Sequence, residues 1–96
     1  MPKGYWIAHV TVTKPEVYPD YIATARPAFE AHGARFLVRG GKHENVEGNA
    51  GVRHVVIEFD SFEKALACYR SAPYQKAAKI RESASTGSIS IVEGAE

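Results

Sequence analysis

Apolar and polar side chains alternate along four short stretches of the chain, which is the pattern of half-buried β-strands. The clearest stretch covers residues 53–60, and its two faces differ in character. One face is wholly apolar and the other carries two ionisable groups: Val55, Ile57 and Phe59 oppose His54, Val56 and Glu58. Because successive side chains of a strand point to opposite sides, one face has a core to cover and the other offers chemistry or a partner surface. Further strands are predicted over residues 4–12, 34–39 and 88–93.

The spacing of apolar residues predicts a first helix between the first two strands. It is expected to begin at Thr13, which forms a capping box with Glu16, and to run to about His32. Gly33 then follows its end as a natural C′ residue. Pro27 lies inside this helix and should kink or break it, because proline removes one backbone hydrogen bond.

A second helix is predicted after the third strand, capped by Asp60 or Ser61. Pro73 ends it and opens one or two further helical turns. Glycine-rich stretches predict three interruptions: a bulge or bend at residues 40–41, with 42–47 continuing the second strand, a hairpin turn at 48–51 and a loop at 85–87.

The resulting order is β-α-β-β-α-β over residues 1–96, which predicts one α+β domain of the ferredoxin-like type. Its four-stranded antiparallel sheet would carry both helices on one face. The strands that precede the helices would be central, because right-handed crossovers fix that arrangement. A domain this small buries a modest share of its surface, so oligomerisation is expected.

The apolar strand faces are assigned to the helices, and the opposite faces form a mixed surface that is too polar for a dry core. Strands one and three are expected to be parallel neighbours, which would place His9 near Glu58. Strand two would place Arg35 near Glu58 and Arg39 nearer His54.

Two chemical roles follow from this placement. His9 and Glu58 are the candidate catalytic acid–base pair, because a carboxylate fixes an imidazole tautomer and supports its protonated form. The alternative is that Glu58 only pairs with Arg35.

Four further side chains are candidate substrate-binding groups. Arg35 and Arg39 offer guanidinium forks for a carboxylate or phosphate, although salt bridges between subunits are an equal interpretation. His54 joins either arrangement. Tyr5 lines a pocket or donates a proton.

Composition narrows the classes of function. The net charge is +1 without a basic run, which argues against nucleic-acid binding, and no apolar run is long enough to span a membrane. Cys68 is the only cysteine, so a reducing compartment fits, and without a visible signal peptide the expected location is cytoplasmic. No metal motif is present around His43, and no cofactor is required by any motif.

Several segments resemble the uncharacterised bacterial family DUF1330. They are Gly4-Tyr5-Trp6-Ile7-Ala8, Arg35-Phe36-Leu37-Val38-Arg39-Gly40-Gly41, Val56-Ile57-Glu58-Phe59 and Tyr69-Arg70-Ser71-Ala72-Pro73-Tyr74-Gln75. The resemblance implies the dimeric α+β barrel superfamily, in which two sheets pack face to face. That superfamily includes cofactor-independent monooxygenases, lactone isomerases and haem enzymes, but the family itself has no established activity and transfers no catalytic residue.

Two functions are therefore expected. The first is a homodimer with a small-molecule site for an anionic or carbonyl-bearing compound, where cofactor-independent acid–base chemistry would take place. The second is a dimeric binding or interaction module without catalytic activity. The sequence does not decide whether the protein is an enzyme.

Overall fold

A computed structural model of the protein describes residues 2–95. Its elements in chain order are β1 (Gly4–Val12), α1 (Tyr18–Ala31), β2 (Arg35–Arg39), β3 (Arg53–Phe59), α2 (Phe62–Arg70), α3 (Ala72–Ala84) and β4 (Ser85–Glu93). The chain thus has the predicted ferredoxin-like α+β fold. No helix in the described part of the chain is both long and apolar enough to cross a membrane.

The four strands form one sheet in the order β2-β3-β1-β4, so β1 and β3 are central as predicted. All three neighbouring pairs are antiparallel, and the predicted parallel pairing of β1 with β3 is wrong. The crossover through α1 makes β1 parallel to β2, and the reversal after β2 makes β3 antiparallel to both.

This orientation changes which residues meet across β1 and β3. Tyr5 lies opposite Glu58, and His9 lies opposite His54. The predicted proximity of His9 to Glu58 is therefore wrong, since the two residues are separated along the sheet. The predicted pairing of Arg35 with Glu58 is confirmed.

A β-bulge in β2 reverses the face on which the strand ends. Phe36 lies opposite Ile57, but Val38 lies opposite Val56, so the register shifts at Leu37. A shift of one residue turns the following side chains to the other face. Arg39 consequently shares the helix-covered side with Val55, and its predicted place beside His54 is wrong.

The side of the sheet without helices is called the open face below. It comprises Tyr5, Ile7, His9, Thr11, Arg35, Val38, His54, Val56, Glu58, Ser88, Ser90 and Val92. On the other side, Trp6 lies at the centre of the core and donates from Nε1 to the Ala65 carbonyl at 2.9 Å. Its ring packs edge-on against Phe29 and Tyr74.

The predicted capping box at the start of the first helix is wrong. Helix α1 begins later, at Tyr18, without a side-chain cap. The backbone N–H groups of Thr13 and Lys14 donate instead to the Ala84 carbonyl, at 2.8 and 3.0 Å. Gly33 has the expected positive φ of 70° after the helix end.

The later boundaries follow the sequence more closely. The Ser61 hydroxyl caps α2 by accepting from the Lys64 N–H at 3.1 Å. Pro73 lies in the first turn of α3, which is a full helix rather than one or two turns. Residues 40–52 are a loop without a strand, and residues 85–87, predicted as a loop, belong to β4.

Candidate functional site

A cavity of ≈ 260 Å³ lies on the helix-covered side, between the sheet and helix α1. Its wall is mostly apolar, with contributions from every strand: Trp6, Ala8, Val10, Ile22, Phe29, Ala34, Phe36, Val55, Ile57 and Ile89. Two tyrosines, Tyr18 and Tyr21, also line it. An apolar enclosure with few polar groups is the usual form of a small-molecule site.

The charged side chains around this cavity are unbalanced. Four arginines line it, and they are Arg26, Arg39, Arg53 and Arg81; the only carboxylate among its described lining residues is Glu30. Within residues 2–95, no ion pair joins Arg26, Arg39 or Arg53 to an acidic side chain. The cavity is therefore suited to an anion.

The guanidinium groups of Arg39 and Arg53 lie over aromatic rings and form no ion pair with a described carboxylate. The guanidinium carbon of Arg39 lies 4.1 Å from the Phe36 ring centroid, and that of Arg53 lies 5.6 Å from the Tyr18 centroid. The Arg53 Nε is buried and lacks a hydrogen-bond partner in the described structure. A buried donor without an acceptor is costly, so a ligand oxygen would satisfy a need that this subunit leaves open.

A hydrogen-bonded chain of three side chains runs beside the cavity. Arg81 donates from Nη1 to the Tyr74 hydroxyl at 2.6 Å, and the Tyr74 and Tyr21 hydroxyls are 2.9 Å apart. Burial raises the pKa of both tyrosines, so they remain neutral donors at physiological pH.

On the open face, Glu58 is held by two neighbours. It accepts from the Tyr5 hydroxyl at 3.0 Å and from the Arg35 Nε at 2.9 Å. Arg35 also donates to Asp60 at 3.0 Å and to the Gly33 carbonyl at 3.3 Å. The Arg35 hydrogen bond holds the pKa of Glu58 below its usual range. Arg35 thus forms its hydrogen bonds and ion pairs within its own subunit. This agrees with the alternative interpretation, in which Glu58 only pairs with Arg35.

Three histidines gather further along the open face. The Nδ1 atoms of His9 and His54 are 2.9 Å apart, and the His43 ring centroid lies 4.6 Å from that of His54. Burial, together with His43 and His9, lowers the pKa of His54. Among the described residues no group of three histidine, cysteine or acidic side chains has an arrangement that could hold a metal.

The six predicted site residues are therefore divided among three places. Tyr5, Glu58 and Arg35 form one network, His9 and His54 form a second, and Arg39 alone reaches the cavity. Sequence reasoning missed Arg26, Arg53 and Arg81. One signal for Arg53 was available, because it continues the alternation of Val55, Ile57 and Phe59 and so places a cation on the apolar face.

The sequence profile of the family described as domain of unknown function (DUF1330) matches residues 3–95. The chain belongs to this family. No curated protein matches the DUF1330 chain significantly.

Solved structures share the fold of this DUF1330 protein at low identity. The RPA0582 protein of unknown function from Rhodopseudomonas palustris is 18% identical, with a TM-score of 0.70 over 99% of this chain and 83% of that one. SnoaB, a cofactor-independent oxygenase from Streptomyces nogalater, is 11% identical, with a TM-score of 0.65 over 100% and 96%. An antibiotic biosynthesis monooxygenase is 10% identical, with a TM-score of 0.58 over 100% and 98%. These likenesses establish the subunit fold of dimeric α+β barrel proteins.

Proposed function

We propose that this DUF1330 protein binds a small anionic or carbonyl-bearing molecule in the cavity between the sheet and helix α1. One observation carries the proposal: four arginines but only one glutamate border a cavity of ≈ 260 Å³ whose other described lining residues are aliphatic or aromatic. Guanidinium groups bind carboxylates through paired hydrogen bonds, and apolar walls accept a hydrocarbon body. A small acid with an aromatic or branched body fits both features.

If the protein is an enzyme, general acid–base chemistry without a cofactor is the reaction type that we propose. Arginine and tyrosine donors that line the cavity would stabilise negative charge that develops on a carbonyl oxygen. The fold of SnoaB, a cofactor-independent oxygenase, supports small-molecule chemistry on this scaffold. His9 and Glu58, the predicted acid and base, lie on the open face, across the sheet from this cavity, so we propose no role for them on a molecule bound there.

The test of binding uses the single tryptophan of the chain, Trp6, which lines the cavity. Its fluorescence should change on titration with benzoate and change much less with benzamide, which has the same size without the charge. Substituting Arg39→Gln or Arg53→Gln should weaken benzoate binding about tenfold or more, because a charge-assisted hydrogen bond contributes about 1.5–3 kcal/mol.

Arg70→Gln is the matched control, because Arg70 is exposed on helix α2 and does not line the cavity. It should leave benzoate binding unchanged. Equal affinity for benzoate and benzamide would contradict the proposal, as would no response to either compound.

A second function, that of a dimeric interaction module without catalysis, is favoured by the apolar side chains of the open face. Val38 and Val92 are each 43% exposed there. With Ile7 and Val56 they make a mixed surface that a second copy could cover. A homodimer through the open face is compatible with either function.

Sedimentation of the wild-type protein should show a dimer at micromolar concentration. Val92→Glu should shift it toward monomer, because a carboxylate would be buried against the partner copy. Val46→Glu is the control, since Val46 is 80% exposed in the loop after β2. A monomeric wild type, or a dimer that Val92→Glu leaves intact, would remove the open face from this role.

A further inference from the structure

Beside the proposed binding cavity, the hydroxyl groups of Tyr74 and Tyr21 form the end of a chain that starts at Arg81. Arg81 donates to Tyr74 across 2.6 Å, and the two hydroxyl oxygens are 2.9 Å apart. Tyr74 is fully buried, whereas Tyr21 retains 9% exposure. The side chain of Tyr21 lines the cavity and that of Tyr74 does not.

The direction of this chain follows from counting protons. A guanidinium has donors only, so the Tyr74 oxygen must accept from Arg81. Each hydroxyl has one proton, and the proton between the two oxygens belongs either to Tyr74 or to Tyr21. If Tyr21 supplied it, the Tyr74 proton would be buried without an acceptor among the described residues, which is costly. The direction in which Tyr74 donates to Tyr21 avoids this cost, because the remaining proton then belongs to the residue that lines the cavity.

This direction leaves the Tyr21 proton without an acceptor in the described structure, since the hydroxyl makes no other hydrogen bond there. The cavity is the space that Tyr21 borders. We propose that Tyr21 donates this proton to an acceptor oxygen of the bound molecule, and so selects ligands that carry a carbonyl, carboxylate or enolate oxygen in the interior of the cavity.

The other members of the chain strengthen the donor. A hydrogen bond accepted by a hydroxyl polarises the proton that the same hydroxyl donates, and here the polarisation begins at the positive charge of Arg81. Because burial raises the pKa of Tyr21, its hydroxyl serves as a donor and does not become a phenolate. Tyr21 is thus a hydrogen-bond donor rather than a base.

The inference rests on the proposed function and defines the ligand more closely. Arg39 and Arg53 would attract an anionic group of the ligand. A second polar group of the same ligand, a hydrogen-bond acceptor, would then lie near Tyr21. The expected class is a small organic acid that has a further oxygen acceptor away from its charge. A carbonyl that accepts from Tyr21 would also be polarised toward enolisation.

The experiment compares 4-acetylbenzoate with 4-ethylbenzoate, which are similar in shape but differ by one carbonyl oxygen. Isothermal titration calorimetry of the wild-type protein should give about five- to tenfold tighter binding of the acetyl compound, the usual effect of one buried hydrogen bond. Tyr21→Phe should abolish this preference while leaving the affinity for 4-ethylbenzoate nearly unchanged. Circular dichroism checks that the variant is folded.

Tyr18→Phe is the matched control, because Tyr18 lines the same cavity without belonging to the chain. It should keep the preference for the acetyl compound. Tyr74→Phe should reduce the preference, since it disconnects Tyr21 from Arg81. Equal binding of both acids by the wild type, or a preference that survives Tyr21→Phe, would overturn the assignment of Tyr21. Failure of both acids to bind would instead count against the proposed function.

Discussion

The arginines on the two sides of the sheet differ in their interaction partners. On the open face, Arg35 forms ion pairs with Glu58 at 2.9 Å and with Asp60 at 3.0 Å. On the helix-covered side, Arg39 and Arg53 lie over aromatic rings, and the described structure gives them no carboxylate partner. Arginine is therefore a structural ion-pair partner on one side, whereas on the other side Arg53 keeps a buried Nε without an acceptor in the described structure.

The partners of an arginine within its own subunit distinguish a structural group from a ligand-binding one. An arginine whose donors are used by the subunit gains little from a ligand, because an existing contact would have to be broken. A buried guanidinium donor that lacks an acceptor, as the Arg53 Nε does, gains the new contact without losing an old one. The most conspicuous charged cluster of the sequence, around Glu58, is thus less suited to binding than the scattered arginines of the cavity.

Substituting methionine for Arg35 and for Arg53 should give the largest effects. Arg35→Met should lower the stability of the fold, because Glu58 and Asp60 lose their shared cation. Arg53→Met should leave stability unchanged or raise it by up to about 1–3 kcal/mol, because a buried donor without a partner is removed. Urea unfolding of the two variants beside the wild type measures both changes.

The same two variants should behave in the reverse order toward a ligand. Arg53→Met should weaken the binding of benzoate, and Arg35→Met should retain it. Destabilisation by Arg53→Met that equals that of Arg35→Met would contradict the comparison, since it would mean that Arg53 already has a stabilising partner.

Much of the fold could be read from local patterns. The alternation in residues 53–60 predicts β3, and Ser61 as a cap predicts the start of α2, because both depend on neighbours in sequence. The predicted loop at 85–87 failed because Gly87, with a φ of 148°, is accommodated within β4 beside Val10. A glycine inside a strand has the same local signal as a glycine at the end of a strand.

The site was harder to predict because it depends on register. A bulge at Leu37 turns Arg39 to the helix-covered side, yet nothing in the local sequence marks Leu37. The glycines at 40–41 predict a bulge three positions later. The orientation of β1 against β3 could have been derived from the crossover and hairpin rules. With it, His9 would have been placed beside His54 rather than Glu58.

The chain of Arg81, Tyr74 and Tyr21 lay beyond sequence reasoning for a different reason. Tyr21 and Tyr74 are separated by most of the chain and meet only because α1 and α3 lie side by side. Their apolar spacing predicts core residues, which they are, and says nothing about where their hydroxyl groups point.

A smaller effect, the pH dependence of stability, tests the other cluster of the open face. The Nδ1 atoms of His9 and His54 share one proton across 2.9 Å, and the buried Nε2 of His54 has no partner in the described structure. Burial first, and then the neighbouring His43 and His9, lower the pKa of His54. The folded protein therefore resists protonation at this site more than the unfolded chain does.

The sign of the pH effect follows from that difference. An unfolded histidine titrates near a pH of about 6.5, so between roughly pH 7.5 and 5.5 the unfolded state takes up more protons and stability falls with falling pH. The carboxyl groups of Glu58 and Asp60, whose pKa values Arg35 lowers, lose their contribution only below about pH 4.5, outside this window.

His54→Gln should flatten the decline of the urea midpoint between pH 7.5 and 5.5. His32→Gln should keep it, because His32 lies at the end of α1, where its Nδ1 is 2.8 Å from the Ala28 carbonyl. A decline that is as steep in His54→Gln as in the wild type would contradict the lowered pKa of His54.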